Sequence, residues 1–252
     1  MALRQKITNL ITRKLPYKWV SSRLERPLAS ITFDDFPRSA WSVAGPILAD
    51  YDSRGTYYAA GRFAGQTEDG IEYFRPDDLG GILAAGHEIG CHSFGHRRAS
   101  GMSAAQLRDE KRENAAFFEA TVGNGRVASY AYPYGDVGPR SKGVIAREYA
   151  IARGIRPGIN AGRVDLAQVL SVPIEARRWR PDEIGQWIEE AKRKNGWLVF
   201  FTHDVSEQPS PFGCTPEMLV EVLEGLKRAG IASVPVKHAV AELTFGGGAG
   251  HA

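Results

Sequence analysis

Leu28-Ala29-Ser30-Ile31-Thr32-Phe33-Asp34-Asp35 is a β-rich run that ends abruptly in two carboxylates. It opens a series. Further β-rich runs are predicted at Thr56–Ala59, Glu88–Cys91, Val127–Tyr132, Gly154–Arg156, Val169–Ile174, Trp197–Thr202 and Ala232–Val234. Helical patterns lie between them. Ser103 and Gln106 form a capping box for a helix reaching about Val122. Pro181 precedes Ile184, Trp187, Ile188 and Ala191, spaced i, i+3, i+4, i+7. Thr215-Pro216 starts a helix with Leu219, Val222, Leu223 and Leu226 on one face and Gly230 as its stop. Such alternation implies an α/β fold, a mostly parallel sheet with helices outside it. Seven or eight units in about 225 residues favour a barrel, whose chemistry gathers at the C-terminal strand ends.

Those ends carry reactive groups. Adjacent carboxylates such as Asp34 and Asp35 repel one another unless a cation or hydrogen bonds hold them. Side chains alternate along a strand, so both could reach one metal only if the chain turns there. The simpler division gives one carboxylate to a metal and leaves the other as a base; a solvated turn with a helix N-cap is the plain alternative. The third run exits into His92-Ser93-Phe94-Gly95-His96. Two imidazoles with one Asp suit Zn²⁺ and leave a position open, as in catalytic sites. His87 precedes the same strand at its opposite end and is read as structural. Tyr132-Pro133-Tyr134-Gly135 and His203-Asp204 close two later strands. Each group alone could be a cap or a loop residue; four such strand ends together argue for a site.

Composition narrows the classes. The chain has 252 residues, 43% hydrophobic and 24% charged, which excludes wholesale disorder. Its longest apolar stretch, Trp197–Phe201, is far below the roughly 20 residues of a membrane span. No secretory signal is recognisable at the N-terminus, so a cytoplasmic location is expected. Cys91 and Cys214 cannot build a disulfide framework. A net charge of +3 gives no reason to expect nucleic acid. Residues 1–27 hold seven basic residues and one acid, so this basic arm carries +6 and the remainder −3. Ile7, Leu10 and Ile11 form an apolar stripe among its basic residues. Residues 1–22 could therefore lie on an anionic membrane surface, or pack as a helix across the bottom of the barrel. The expected divisions are the arm 1–27, a catalytic domain 28–240 and a Gly-rich tail 241–252.

Taken in order, Thr32-Phe33-Asp34-Asp35, His92-Ser93-Phe94-Gly95-His96, Tyr132-Pro133-Tyr134-Gly135 and an apolar strand ending in His203 resemble the polysaccharide deacetylases. These are the NodB-homology domain of carbohydrate esterase family 4, and the resemblance runs from about Leu28 to Val240. It implies a distorted (β/α) barrel of about seven parallel strands and a divalent metal, most often Zn²⁺. The implied reaction is hydrolysis of an N-acetyl, sometimes O-acetyl, group on a sugar. Asp35, His92 and His96 then match the metal ligands, Asp34 the general base and His203 the general acid. Tyr134 matches the residue whose backbone N–H helps hold the oxyanion.

The chain departs from the family pattern in places. Where the family commonly has Arg-x-Pro-Tyr, it reads Ala131-Tyr132-Pro133-Tyr134, so the arginine that orients the base is missing. Arg38, four residues after Asp34, or another nearby arginine is expected to replace it; alternatively Arg38 meets substrate or solvent. Phe36 stands where glycine is frequent and is expected to narrow the entrance. No Asp-Trp fourth motif is present, which leaves Asp165 and Glu175 as candidates to orient His203. The first functional reading is a metal-dependent deacetylase of an N-acetylated amino sugar, in a polysaccharide or a glycan precursor. The second is a metal-dependent hydrolase of a non-carbohydrate linear or cyclic amide. A non-catalytic carbohydrate-binding protein is the third, disfavoured because all five metal, base and acid positions are intact.

Overall fold

A computed structural model describes Thr12, Leu15 and residues 17–246. Strand β1 (Trp19–Ser21) is followed by β2 (Leu28–Phe33), helices α1 (Ser39–Ser42) and α2 (Ala44–Asp50), and β3 (Thr56–Ala59). The pair β4 (Thr67–Glu68) and β5 (Ile71–Glu72) leads to α3 (Pro76–Ala84), β6 (Glu88–Cys91) and α4 (Ala104–Val122). Next come β7 (Ser129–Ala131), α5 (Pro139–Glu148), β8 (Ile151–Arg153), β9 (Arg163–Asp165) and β10 (Val172–Pro173). Last are α6 (Pro181–Lys194), β11 (Trp197–Thr202), α7 (Pro216–Ala229), β12 (Ala232–Ser233) and α8 (Val236–Phe245).

One parallel sheet runs β10-β11-β2-β3-β6-β7-β8, with β12 joined to β2. The segment between β9 and β10 bonds both of its ends. Ala152 donates its N–H to the Leu166 carbonyl at 2.7 Å and Gly154 to Val169 at 3.1 Å, while Val172 pairs with Phe200. The sheet thus curls into the expected distorted barrel. β11 is buried at every residue because both its faces are covered. Leu198 and Phe200 pack outward with Ile188 of α6 and Leu219 of α7, whereas Trp197 and Val199 pack inward with Leu28. Inside, Trp197 Nε1 donates to Ser30 Oγ at 3.0 Å, and that hydroxyl donates to the Val234 carbonyl at 2.7 Å.

Helix α8 closes the N-terminal end of the barrel. Val236, Ala239 and Leu243 join the inner cluster. The Val236 N–H donates to Thr56 Oγ1 at 2.9 Å and that of Lys237 to the Glu88 carboxylate at 2.7 Å. An anion there complements the helix dipole. This helix takes in residues 241–245, which shortens the expected tail to the residues after Phe245; beyond Gly246 the tail lies outside the described residues.

His87 is structural, as its place before β6 suggests. Its Nδ1 accepts the Gly55 N–H at 2.8 Å, and Trp41 and Tyr57 meet its ring edge-on. Burial, helped by nearby Arg54, pushes its pKa down to about 4. An unfolded histidine titrates near 6.5, so the unfolded chain takes up this proton first as pH falls. The stability contribution is therefore complete above about pH 6.5 and is lost, by up to about 3 kcal/mol, on descending toward pH 4. Denaturant unfolding at pH 7 and pH 4.5 should show a smaller loss in His87→Gln than in the wild type.

The described part of the basic arm is packed. β1 pairs antiparallel with β9, and Lys18 Nζ donates to the Tyr149 carbonyl at 2.9 Å. Lys142 of α5 is fully buried; it pairs with Asp165 at 2.6 Å and donates to the carbonyls of Thr12 (2.9 Å) and Leu15 (3.1 Å). Ile7, Leu10 and Ile11, the stripe considered for a membrane surface, lie outside the described residues. Deleting residues 1–22 strips Lys142 of two acceptors and β9 of its partner. Hydrogen bonds to a charged group contribute about 1.5–3 kcal/mol each, so the loss of two should lower Tm by about 6–24 °C in a thermal melt.

Four strands differ from expectation; Val127–Tyr132 shortens to β7 and Ala232–Val234 to β12. The run Val169–Ile174 reduces to β10, with Val169 bridging to Arg153. β8 lies three residues before the predicted Gly154–Arg156. Ile155 leaves the sheet and packs over Gly135, where a Cβ would stand 2.2 Å from its side chain. Arg153, not Arg156, therefore occupies the C-terminal strand end.

Candidate active site

Asp34 and Asp35 leave β2, His92 and His96 leave β6, Tyr134 follows β7, Arg153 ends β8 and His203 leaves β11. All stand at C-terminal strand ends. Of eight non-glycine residues with positive φ among the described residues, five belong to these exits: Asp35, Phe36, Ser93, His96 and Tyr134. Such backbone is strained and persists where its surroundings impose it. At Asp35 (φ 58°) it breaks the strand alternation and parts the two carboxylates.

Asp35 turns to the histidines. Its Oδ1 lies 3.2 Å from His92 Nε2 and 2.8 Å from His96 Nε2. His92 Nδ1 is 2.9 Å from the Ala131 carbonyl, which fixes the proton on Nδ1 and leaves Nε2 with a lone pair facing the aspartate. Asp35 Oδ1 is buried without a hydrogen-bond donor. The three ligand atoms lie within 4.8 Å of one another. Lone pairs converging from two imidazoles and a carboxylate repel unless a cation sits among them, so these residues fit a divalent ion. Burial opposes charge on Asp35, but the two histidines outweigh it and hold its carboxyl well below the usual range. Burial also lowers His96, toward the neutral ring that ligation requires.

Asp34 turns the other way. It is buried, and both its oxygens accept from Arg153 Nη2. Arg153 is itself fully buried; its Nη1 donates to the Gly154 carbonyl at 3.1 Å and its guanidinium lies over the rings of Tyr58 and Phe201. In the sheet register Arg153 is the direct neighbour of Ala131. The guanidinium absent from position 131 thus enters from the adjacent strand.

Arg38 is elsewhere, which corrects the first expectation for the missing arginine. Its Nε is 3.2 Å from Asp78 and its Nη1 3.8 Å from Glu72, because the turn at Phe36 carries the following residues out toward β5 and α3. Phe36 does not narrow the entrance: it is fully buried and stacks on Phe74 at 4.7 Å. Neither proposed acid reaches His203. Asp165 is held by Lys142, and Glu175 by Arg177 (2.8 Å) and Arg178 (3.6 Å). His203 points Nε2 toward Asp35 Oδ2, 3.8 Å away, and its Nδ1 is 3.2 Å from the Phe212 carbonyl. Beside it opens a cleft of about 780 Å³ lined by Asp35, Arg38, Glu72, Tyr73, His203 and Phe212. On the far side the exposed Tyr134 ring packs on His96 at 4.5 Å, with Arg98 over it at 4.3 Å.

A parallel barrel thus gathers at its mouth an Asp-His-His cluster that could hold a divalent ion and, beside it, an arginine-held carboxylate. The polysaccharide deacetylase family model matches residues 21–151, and the chain belongs to that family. Among solved structures it is similar to the Xyl-CE4 domain of a multidomain xylanase from the hindgut metagenome of Trinervitermes trinervoides. That match has TM-score 0.61 and 21% identity, over 86% of this chain and 91% of the other. A family 4 acetyl xylan esterase from Clostridium thermocellum, in complex with cobalt, matches at TM-score 0.57 and 21% identity, over 84% and 89%. A CE4 family pseudoenzyme from Bacillus anthracis matches at TM-score 0.59 and 16% identity, over 86% and 66%. No curated protein matches the chain.

Proposed function

We propose that this protein is a divalent-metal-dependent deacetylase that removes the N-acetyl group from an amino sugar, in a polysaccharide or a glycan precursor. What carries the reading is one arrangement: Asp35, His92 and His96 converge on a point flanked by arginine-held Asp34 and by His203. Asp35, His92 and His96 would hold the cation, most suitably Zn²⁺, which when bound supplies Lewis acidity toward a carbonyl and a water molecule. Asp34 accepts the proton of the attacking water. Each carboxylate oxygen has a lone pair beyond the one engaged by Arg153, so the base stays available while its direction is fixed. The Tyr134 backbone N–H is assigned to the oxyanion. In its imidazolium form, with Nδ1–H on the Phe212 carbonyl, His203 hands its Nε2 proton to the departing amine nitrogen and is left as the neutral Nδ1–H ring.

The test is acetate release from N-acetylglucosamine oligomers by zinc-loaded protein, run beside acetylated xylan and small cyclic imides. Release from the oligomers, abolished by a chelator and restored by zinc, is the expected result. Turnover of the imides alone would move the assignment to non-carbohydrate amides. The structural similarity to an acetyl xylan esterase makes the xylan arm necessary, since its turnover alone would make the bond an ester.

A further inference from the structure

His203 has no carboxylate on its Nδ1; it has a backbone carbonyl. That carbonyl, from Phe212, belongs to residues 205–214, which fold around the side chain of Asp204. The Asp204 carboxylate is buried and accepts from the Ser210 N–H at 2.7 Å and from the Ser210 hydroxyl. Ser210 Oγ in turn accepts the N–H groups of Phe212 (3.3 Å) and Gly213 (3.2 Å). The base of the loop is closed by the Cys214 N–H on the Asp204 carbonyl (2.9 Å) and the Ser206 N–H on the Cys214 carbonyl (3.2 Å). Gly213 passes so close that a Cβ there would stand 2.3 Å from Asp204 Oδ1. The two bonds on Ser210 Oγ fix the peptides on either side of Phe212, and the others hold Ser210 and the base of the loop.

We propose that Asp204 is a positioning residue for His203, acting through Ser210 and the Phe212 carbonyl. An imidazole at a strand exit can rotate about both side-chain torsions, and only a partner on one nitrogen aims the other. The Phe212 carbonyl accepts a hydrogen bond from Nδ1–H and so turns Nε2 toward Asp35 and the cleft. Asp204 never touches the ring; it holds the peptide that does. The same loop presents the half-exposed Phe212 ring along the cleft, backed by the Arg177 guanidinium at 4.0 Å. One carboxylate therefore sets both a proton donor and a wall of the cleft.

This inference rests on the reading of His203 as the acid that protonates the leaving group, and the test separates the two. An amide needs that proton because an amine anion cannot leave, whereas 4-nitrophenolate leaves without one. In Asp204→Ala, kcat for N-acetylglucosamine oligomers relative to 4-nitrophenyl acetate should fall by about 100-fold. Zinc content should be unchanged, and Asp204→Asn, which keeps one acceptor oxygen, should recover part of the ratio. His203→Ala should show the same split. Equal losses on both substrates, or loss of zinc, would make Asp204 a fold residue only. A second readout requires no turnover: ¹⁵N spectra of histidine-labelled, zinc-loaded protein. His203 should be protonated on Nδ1 in the wild type and lose that preference in Asp204→Ala. An unaltered signal would overturn the positioning role even if the wild type cleaves neither substrate, an outcome that would instead count against the proposed activity.

Discussion

His96→Ala is expected to abolish stoichiometric metal binding and to lower deacetylation by about three powers of ten or more. Three protein atoms converge on the proposed site, and removing one leaves a two-ligand remnant that cannot hold an ion against water. The fold should survive. His96 sits at the mouth of the barrel, its ring against Phe63 (5.2 Å) at the edge of the apolar core and against the exposed Tyr134 (4.5 Å). The stability cost should stay near about 1–2 kcal/mol. Elemental analysis of purified protein, acetate release and a thermal melt read the three quantities separately. His92→Ala should cost more stability, because it also leaves the Ala131 carbonyl without its imidazole partner. Full metal occupancy in the double variant would put the ion elsewhere.

Local spacing made half of this site readable. Asp34-Asp35 and His92–His96 each lie within five residues on one strand exit, so a sequence window contains the whole motif. The strand–helix alternation was equally legible, since parallel strands buried on both faces are continuous apolar runs such as Trp197–Thr202. Pairing between distant segments was hidden from any such window. Lys142 meets Asp165, and Arg38 meets Asp78, at separations that periodicity does not encode. The turn at Phe36 was also invisible, because positive φ at a phenylalanine runs against its propensity and is imposed by the site. Arg153 escapes a sequence window because β8 begins three residues earlier than its β-rich pattern implies. A strand at Gly154–Arg156 leaves Arg153 before it, whereas Ile151-Ala152-Arg153 puts the guanidinium at the end where the carboxylates gather. A buried charge closing a short apolar run was the signal that could have found it.

Arg153→Met should affect both stability and turnover. Methionine fills similar length but leaves Asp34 buried without its cation, a cost of about 3–5 kcal/mol. The freed carboxylate also loses its direction, so kcat should fall by about 100-fold with metal content unchanged. Arg153→Lys separates the two effects. An ammonium keeps the charge and much of the stability but lacks the planar guanidinium that lies over Tyr58 and Phe201, so kcat should recover only part of the loss. Arg38→Ala is the control: its guanidinium is spent on Asp78 and Glu72 at the cleft edge, and a changed KM with kcat within about threefold is expected. The sheet register supplies the decisive variant. Ala131 and Arg153 are neighbours on adjacent strands, so Ala131→Arg combined with Arg153→Ala moves the guanidinium one strand over into space the original vacates. Partial recovery of kcat in that double variant, relative to Arg153→Ala alone, would show that the base needs an arginine and not a particular strand to supply it. If Arg153→Met keeps wild-type kcat while folded and metal-loaded, the Asp34–Arg153 pair holds the barrel together and orients nothing.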